Sequence, residues 1–320
     1  MNIKKIIKSQ RVRHLLMRSC AWLPDKLMLS LQYYILLHRW PDLTHPKRFT
    51  EWIQFYKMIY RNPDMLRCVD KYDVRGYVEE KGCGEYLNEL YQVCDNASEI
   101  DFEKLPQKFV IKTTNGGSGD NVMVVTDKDS LDTDAAIIKV NSWLKKNYSN
   151  TSREWAYSGA SSHPRIIVEK YLENPSEDNL SANSLIDYKF FCFNGRVEFF
   201  KLDYDRYTNH SANYYDCNAS LLDVTEGTFP QKEKTPPLPT NLSQMIEIAE
   251  KLAKEYPFVR IDLYNVGEKI LFGEFTFYPG SGYFAFNPDK FDTEFGKYFK
   301  DIKIEHMGGE STNNQDIILK

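Results

Sequence analysis

The chain has 320 residues, 42% hydrophobic, 14% aromatic and 27% charged, with 21 Tyr and 19 Phe against only 16 Gly and 14 Pro. That balance excludes a disordered tail and a fibre, and the length exceeds one average domain of ~100–200 residues while fitting an enzyme of two or three lobes. The formal charge of −4 excludes a general nucleic-acid binder, yet Lys4, Lys5, Lys8, Arg11, Arg13 and Arg18 stand without an acid among the first 18 residues, leaving −10 on the other 302.

From Lys4 to about Leu37 the residues Ile6, Ile7, Val12, Leu15, Leu16, Leu27, Leu31, Tyr34 and Ile35 recur at helical spacing, punctuated by Pro24 and Pro41. This spacing predicts either a helical pair docked on the body or a basic helix lying on an anionic membrane surface. The apolar run Leu27–Leu37 is shorter than the ~20 residues a bilayer requires, and no small-residue cleavage site follows a signal-like run. The six cysteines are scattered without a CxxC pair, which favours a reducing compartment. The expectation is a cytoplasmic protein, with peripheral membrane contact through its basic N-terminus.

Helical patterning resumes at Phe49–Arg61 and at Val69–Lys81. β-rich runs then dominate, at Phe109–Thr114, Val122–Val125, Ile166–Lys170, Tyr188–Phe193, Arg196–Leu202, Phe258–Tyr264 and Lys269–Phe277. Asn194-Gly195 is a strong hairpin signal. Helical spacing returns at Thr133–Lys146 and Leu242–Glu255, so helices and strands mix without strict βαβ alternation, a pattern that predicts an α+β fold. The polar stretches Ser149–Arg165, Glu173–Leu185, Asp203–Asn218 and Glu226–Thr240 are long enough for lids or substrate loops. Asp203–Asn218 carries Tyr204, Tyr207, Tyr214, Tyr215, Arg206 and His210, a composition that suits either a carbohydrate-binding loop or a loop packed on its own body.

Phe109 to Val125 reads as a strand, a glycine-rich loop (Asn115-Gly116-Gly117-Ser118-Gly119) and a second strand. A P-loop or dinucleotide fingerprint would need a helix after the glycines. Such a hairpin can still bring backbone N–H groups to a phosphate, with Lys112 as a point charge, or it can be an ordinary hairpin with a flexible tip. In Val259 to Thr276 a turn around Gly267–Glu268 pairs two strands antiparallel, and a pairing of Asp262 with Glu274 and Arg260 with Thr276 puts all four on one face. Opposed carboxylates with hard oxygen donors suit Mg²⁺; the competing picture is a solvated face on which Arg260 neutralises both acids. By pattern alone, Lys189 belongs on the wet face of a hairpin.

In order, Asp70–Arg75, Phe109–Asn121, Val168–Leu172, Asp187–Arg196 and Arg260–Gly282 resemble the TupA-like ATP-grasp family, associated with teichuronopeptide and surface-polysaccharide biosynthesis. The resemblance spans roughly residues 45–300. It implies an α+β ATP-grasp fold in which two lobes clasp ATP after an N-terminal helical segment. The divisions expected are 1–48 for that segment, 49–108 for an N-terminal lobe, 109–172 for a central lobe with its glycine-rich flap, 173–305 for a C-terminal lobe with the metal site, and 306–320 for a tail. By the same resemblance Lys71 and Lys112 reach the phosphates under a flap of Asn115, Gly116, Gly117, Ser118 and Gly119. Glu169, Lys170, Tyr171 and Leu172 form the hinge at the adenine, and Glu173 or Glu177 meets the ribose. Lys189 approaches the transferable phosphate, Arg260 stabilises its charge, and Asp262 and Glu274 carry one or two Mg²⁺ ions, with Thr276 where many ATP-grasp ligases have Asn. The implied activity joins a carboxylate, activated as an acyl phosphate, to an amine, with a uronic-acid-bearing glycan or its precursor and an amino acid as substrates. A kinase on the same scaffold, a glycosyltransferase and a nucleotide-gated scaffold without catalysis are the competing activities.

Overall fold

A computed structural model describes residues 22–116, 121–144, 152–160, 163–173, 185–206 and 208–300. Helix α1 (Asp25–Leu37) precedes α2 (Phe49–Ile59), α3 (Asp64–Val69) and α4 (Asp73–Glu80). Lys4 to Ala21, the first part of the expected helical segment, lies outside the described residues. The helix expected over Val69–Lys81 is broken at Asp70-Lys71-Tyr72. The physical reason is local: Asp70 Oδ1 accepts the N–H groups of Tyr72 and Asp73, both at 2.9 Å, and so begins a new helix instead of continuing the old one.

A four-stranded antiparallel sheet follows, built from β1 (Leu90–Cys94), β2 (Phe109–Thr113), β3 (Val122–Val125) and β4 (Ile166–Lys170) in the order β1-β4-β2-β3. The β2–β3 hairpin has the predicted strand–loop–strand form, with Lys112 opposite Val122. Helix α5 (Thr133–Leu144) offers Val140 and Trp143 to the sheet face bearing Phe109, Ile111, Ile166 and Val168. Strand alternation leaves Val110, Lys112, Ile167 and Glu169 on the other face. A short helix, α6 (Trp155–Ala160), lies before β4. Sequence reading missed β1 because Leu90-Tyr91-Gln92-Val93-Cys94 shows little alternation, as befits an edge strand.

The larger sheet is made of β5 (Asp187–Phe193), β6 (Arg196–Tyr204), β7 (Ser211–Asp216), β8 (Leu221–Leu222), β10 (Phe258–Val266) and β11 (Lys269–Thr276). Their order is β11-β10-β5-β6-β7-β8, antiparallel throughout; β9 (Thr225–Glu226) pairs separately with β12 (Phe286–Asn287). Asn194 and Gly195, with φ of 47° and 74°, form the predicted two-residue turn between β5 and β6. Helix α7 (Leu242–Ala253) covers one face with Met245, Ile248, Ala249 and Leu252. The other face is divided. Its aromatic half, Phe191, Phe199 and Phe258, is clamped by Phe49 of α2 and Phe295 of α8 (Lys290–Gly296), with Phe199 and Phe295 stacked at 4.0 Å. Asp292 of α8 secures this clamp by accepting Thr50 N at 3.0 Å and Thr50 Oγ1 at 2.8 Å at the start of α2. The polar half is left for the site.

Asp203–Asn218 is not a loop. It supplies the end of β6 and the whole of β7, and Tyr204, Tyr214 and Tyr215 are buried; of the two readings of that stretch, packing on its own body holds for these tyrosines. Tyr207 lies outside the described residues.

The β10–β11 pairing is Asp262 with Glu274 and Arg260 with Thr276, as read from sequence. It is reached by an unforeseen route. Gly267 and Glu268, at φ 58° and 67°, make a two-residue turn that pairs Val266 with Lys269 and Leu263 with Phe272, one residue out of step with the site; a bulge at Gly273 restores the register. A methyl group on Gly273 would lie 2.9 Å from the Asp262 carbonyl oxygen and 3.1 Å from the Tyr264 ring. Gly273→Ala is therefore expected to cost about 1–3 kcal/mol in urea unfolding; a variant as stable as the parent would show that the bulge has room to spare.

Candidate active site

The cleft lies where the polar faces of the two sheets meet the α3–α4 junction. Lys71 belongs to that junction. Its backbone N–H donates to Thr114 O at 3.0 Å, tying the junction to the end of β2, and its ammonium donates to Gly116 O. Burial holds the Lys71 amine below its ordinary pKa, and the neighbouring Lys112 charge pushes the same way against the opposing pull of Glu274. Lys112 projects from β2 to Glu169 Oε2 of β4 at 2.7 Å, and Arg75 of α4 approaches Glu169 Oε1 at 3.8 Å. Lys71, Lys112, Gly116, Glu169 and Leu172 all line the cleft.

Opposite them the strand pairings place Glu274, Asp262, Lys189, Lys201 and Tyr214 in one row across β11, β10, β5, β6 and β7. Asp262 is the hub. It accepts Arg260 Nε at 2.6 Å and Nη2 at 2.7 Å in a forked pair, and Lys189 Nζ at 2.6 Å. Burial by itself would raise the Asp262 pKa; Arg260 and then Lys189 overcome it and hold the carboxyl below its ordinary value. Burial likewise opposes the charge on Lys189, yet Asp262 and Asp187 hold its pKa above the ordinary lysine value. Lys189 is thus buried beside three aspartates, not placed on a wet face. The pattern misled because the strand's apolar neighbours reflect burial of both sheet faces.

Glu274 is the open member of the row. Its side chain is 46% exposed, with Arg260 Nη2 at 3.6 Å and Thr276 Oγ1 at 3.4 Å. Among the described residues no group of three or more His, Cys, Asp or Glu is arranged to hold a metal ion. Arg260 engages Asp262, Glu274 and Thr276 together, so a hard dication such as Mg²⁺ would share Asp262 and Thr276 with Arg260, meet its open carboxylate at Glu274, and take its remaining ligands from phosphate and water. Asp262, Glu274 and Thr276 are the residues that could hold it.

The hinge residues divide. Leu172 faces the cleft, whereas Lys170 and Tyr171 border a neighbouring depression, where Lys170 pairs with Glu89 at 3.3 Å. Alternation along β4 explains this, since Glu169 and Lys170 must point to opposite faces. Asn88 Nδ2 donates to Lys170 O at 2.9 Å, so the hinge backbone does border the cleft-lining Asn88. Glu173 is exposed and drawn to Lys108. Asn115 is buried, and neither polar atom of its amide has a hydrogen-bond partner among the described residues. Gly117, Ser118, Gly119 and Glu177 lie outside the described residues.

Sequence reading did not single out Arg75, Asn88, Asp187 or Tyr264, all of which line the cleft, as does Arg206 of the stretch read as a candidate carbohydrate-binding loop. Asp187 was findable, two residues before Lys189 and so on the same strand face. Arg206, 3.3 Å from Asp187 Oδ2, follows the end of β6; its sequence signal was the composition of Asp203–Asn218, which did not connect it to the cleft.

The model of the TupA-like ATP-grasp family matches residues 51–300, and the chain belongs to that family. No curated protein sequence matches it. Among solved structures it is similar to D-alanine–D-alanine ligase from Bacillus anthracis at 18% identity and a TM-score of 0.41, over 66% of this chain and 57% of that one. It is also similar to D-alanine–D-alanine ligase from Helicobacter pylori, at 13% identity, a TM-score of 0.44, and 81% and 68% coverage. An L-amino acid ligase from Bacillus licheniformis gives 13%, 0.40, and 87% and 57%. The chain thus spans little more than half of the first of these structures.

Neutralising Asp262 would strand Arg260 and Lys189 in the interior. Asp262→Asn is expected to cost about 3–5 kcal/mol in ligand-free unfolding, and Glu274→Gln less than about 1 kcal/mol. The Asp262 contribution should be complete above the unfolded carboxylate value of ~3.9 and be lost as pH falls through the lower folded value. Equal stability of the two variants, or a loss on the alkaline side, would refute the hub.

Proposed function

We propose that this TupA-like ATP-grasp protein is an ATP- and Mg²⁺-dependent ligase that activates a carboxylate as an acyl phosphate and joins it to an amine. The observation that carries the reading is the convergence of Lys71, Lys112 and Lys189 from separate segments on one cleft that also holds Asp262 and Glu274. A polyanion and a dication would satisfy these groups together. Phosphoryl transfer depends chiefly on positioning and charge neutralisation, so no nucleophilic side chain is required.

Lys71 and Lys112 bind the phosphates from the side of the smaller sheet, and Lys112 exchanges its pairing with Glu169 for a phosphate oxygen. Lys189 approaches the transferable phosphate, and Arg260, braced on Asp262, stabilises the charge that develops there. Asp262 and Glu274, with Thr276 beside them, hold Mg²⁺, which when bound neutralises charge on the phosphate oxygens. A substrate carboxylate oxygen bonds to the γ-phosphorus as the bond to ADP breaks. An amine then attacks the acyl carbon, phosphate leaves with the acyl C–O electron pair, and the amine gives up a proton. Leu172 and the hinge backbone border the base. Glu173 or Glu177 meets the ribose hydroxyls, Glu173 by releasing Lys108. The family association suggests a uronic-acid-bearing glycan or its precursor as the carboxylate donor and an amino acid as the amine.

Incubation with ATP, Mg²⁺, a uronic-acid oligosaccharide and an amino-acid mixture should give ADP, phosphate and a product with the mass of an amide. ADP with a phosphorylated sugar would mean a kinase, and no ADP would refute both. Lys112→Ala should lower kcat/KM for ATP at least about tenfold, as expected for loss of a charge-assisted bond worth ~1.5–3 kcal/mol, with exposed Lys104→Ala as the control. Glu274→Gln should lose turnover at limiting Mg²⁺; parental turnover there would sink the metal assignment.

A further inference from the structure

A helix docked on a protein body in water normally turns polar residues outward. Helix α1 does not. Its inner face buries Met28, Leu29, Gln32 and Tyr33, while Leu27, Tyr34 and the partly exposed Leu31 recur at helical spacing on the outer face. Trp40 stacks on Tyr34 with ring centroids 4.7 Å apart, and Trp22 stands just before the helix. Trp22 is 79% exposed, Trp40 60%, Leu27 47% and Tyr34 45%. Half of the large apolar side chains exposed among the described residues fall within Trp22–Trp40. An apolar face this concentrated marks a contact surface.

The face is held firmly. Tyr33 Oη and Thr50 Oγ1 lie 2.6 Å apart, Tyr283 Oη donates to Gln32 Oε1 at 2.6 Å, and Arg153 pairs with Asp25 at 2.9 Å. Neighbouring acids are likewise engaged, Asp289 by Arg39 and Arg48 and Asp42 by the backbone N–H groups of Thr44 and His45. Asp289 and Asp25 are thus neutralised by arginines, while Asp42 keeps its charge. Immediately upstream in sequence come six Lys and Arg without one acid. Tryptophan and tyrosine, apolar in body and polar at one edge, suit the headgroup level of a bilayer. A basic segment adjoining them supplies the second signal that reversible lipid binding requires.

We infer that the face formed by Leu27, Leu31, Tyr34 and Trp40, with the exposed Trp22 just before the helix, docks on a lipid surface bearing anionic headgroups, with the basic first 18 residues supplying electrostatic attraction. A second copy of the chain could cover an apolar face equally well, but would not call for a run of uncompensated positive charge adjoining it in sequence.

The test is co-sedimentation of the full chain with phosphatidylcholine vesicles containing about 30% phosphatidylserine, against phosphatidylcholine alone. Binding should favour the anionic vesicles and weaken as salt screens it. Trp22→Ser with Trp40→Ser should lower partitioning at least about tenfold at unchanged thermal stability. If that pair lowers stability, Leu27→Ser with Tyr34→Ser replaces it. Without any variant, vesicles should shift wild-type tryptophan emission to the blue and shield it from an aqueous quencher. Replacing Lys4, Lys5 and Lys8 by Gln should reduce the preference for anionic lipid. No binding to anionic vesicles, undiminished binding by both face variants, or a lipid-indifferent dimer that those variants dissolve would overturn the inference.

Discussion

The forked pairing of Arg260 with Asp262, joined by Lys189, is the interaction on which the rest of the cleft depends. Three charged groups removed from water are tolerable only when each is matched, and here the matching runs on through the sheet. Lys189 also lies 3.8 Å from Asp203, which pairs with Lys201 at 3.2 Å, and Lys201 reaches Glu226 at 3.1 Å. Opposite charges therefore meet from β10 through β5 and β6 and on to Glu226 of β9, outside this sheet. Lys189 is fixed by Asp262 on the strand beside it, so a one-residue slip of β5 against β10 would leave both charges buried without their partner.

That demand explains the division of the sheet face. A network of buried ions contributes little net stability, so the fold must gain it elsewhere. The aromatic half supplies it, with Phe49 surrounded by Phe191, Phe199 and Phe258 and the stack of Phe199 on Phe295. The clamp of α2 and α8 also fixes the far end of β10, the strand that carries both Arg260 and Asp262. The apolar packing holds the strands, and the strands hold the charges. The smaller sheet brings its own cations to the same space, and the bond from Lys71 N–H to Thr114 O joins it to the helical junction between them.

Much of this was legible in sequence because it is local. Asn194-Gly195 specified one hairpin, and alternation from Val259 to Thr276 placed Arg260, Asp262, Glu274 and Thr276 on one face. The split of the Val69–Lys81 helix was also local in cause, yet the helical periodicity on both sides concealed the cap at Asp70. Lys189 was misjudged on pattern because alternation tells which residues share a face and says nothing about what covers it. Asp203–Asn218 was misjudged because a strand buried on both sides, with tyrosines as its core residues, has the composition of a polar loop.

The sequence by itself determined the α+β class, most strands, the pairing at the site and the family resemblance, since each rests on residues within one hairpin or on motifs in order. Only the tertiary structure decided that Asp262 is the anchor of two buried cations, that Glu274 is the open acid, and that Lys170 turns away while Arg75, Asn88 and Arg206 turn in. Those outcomes depend on which strand lies beside β10 and which helix end meets β2. Such neighbours are separated by tens of residues along the chain, and they are chosen by burial of the whole rather than by any local pattern.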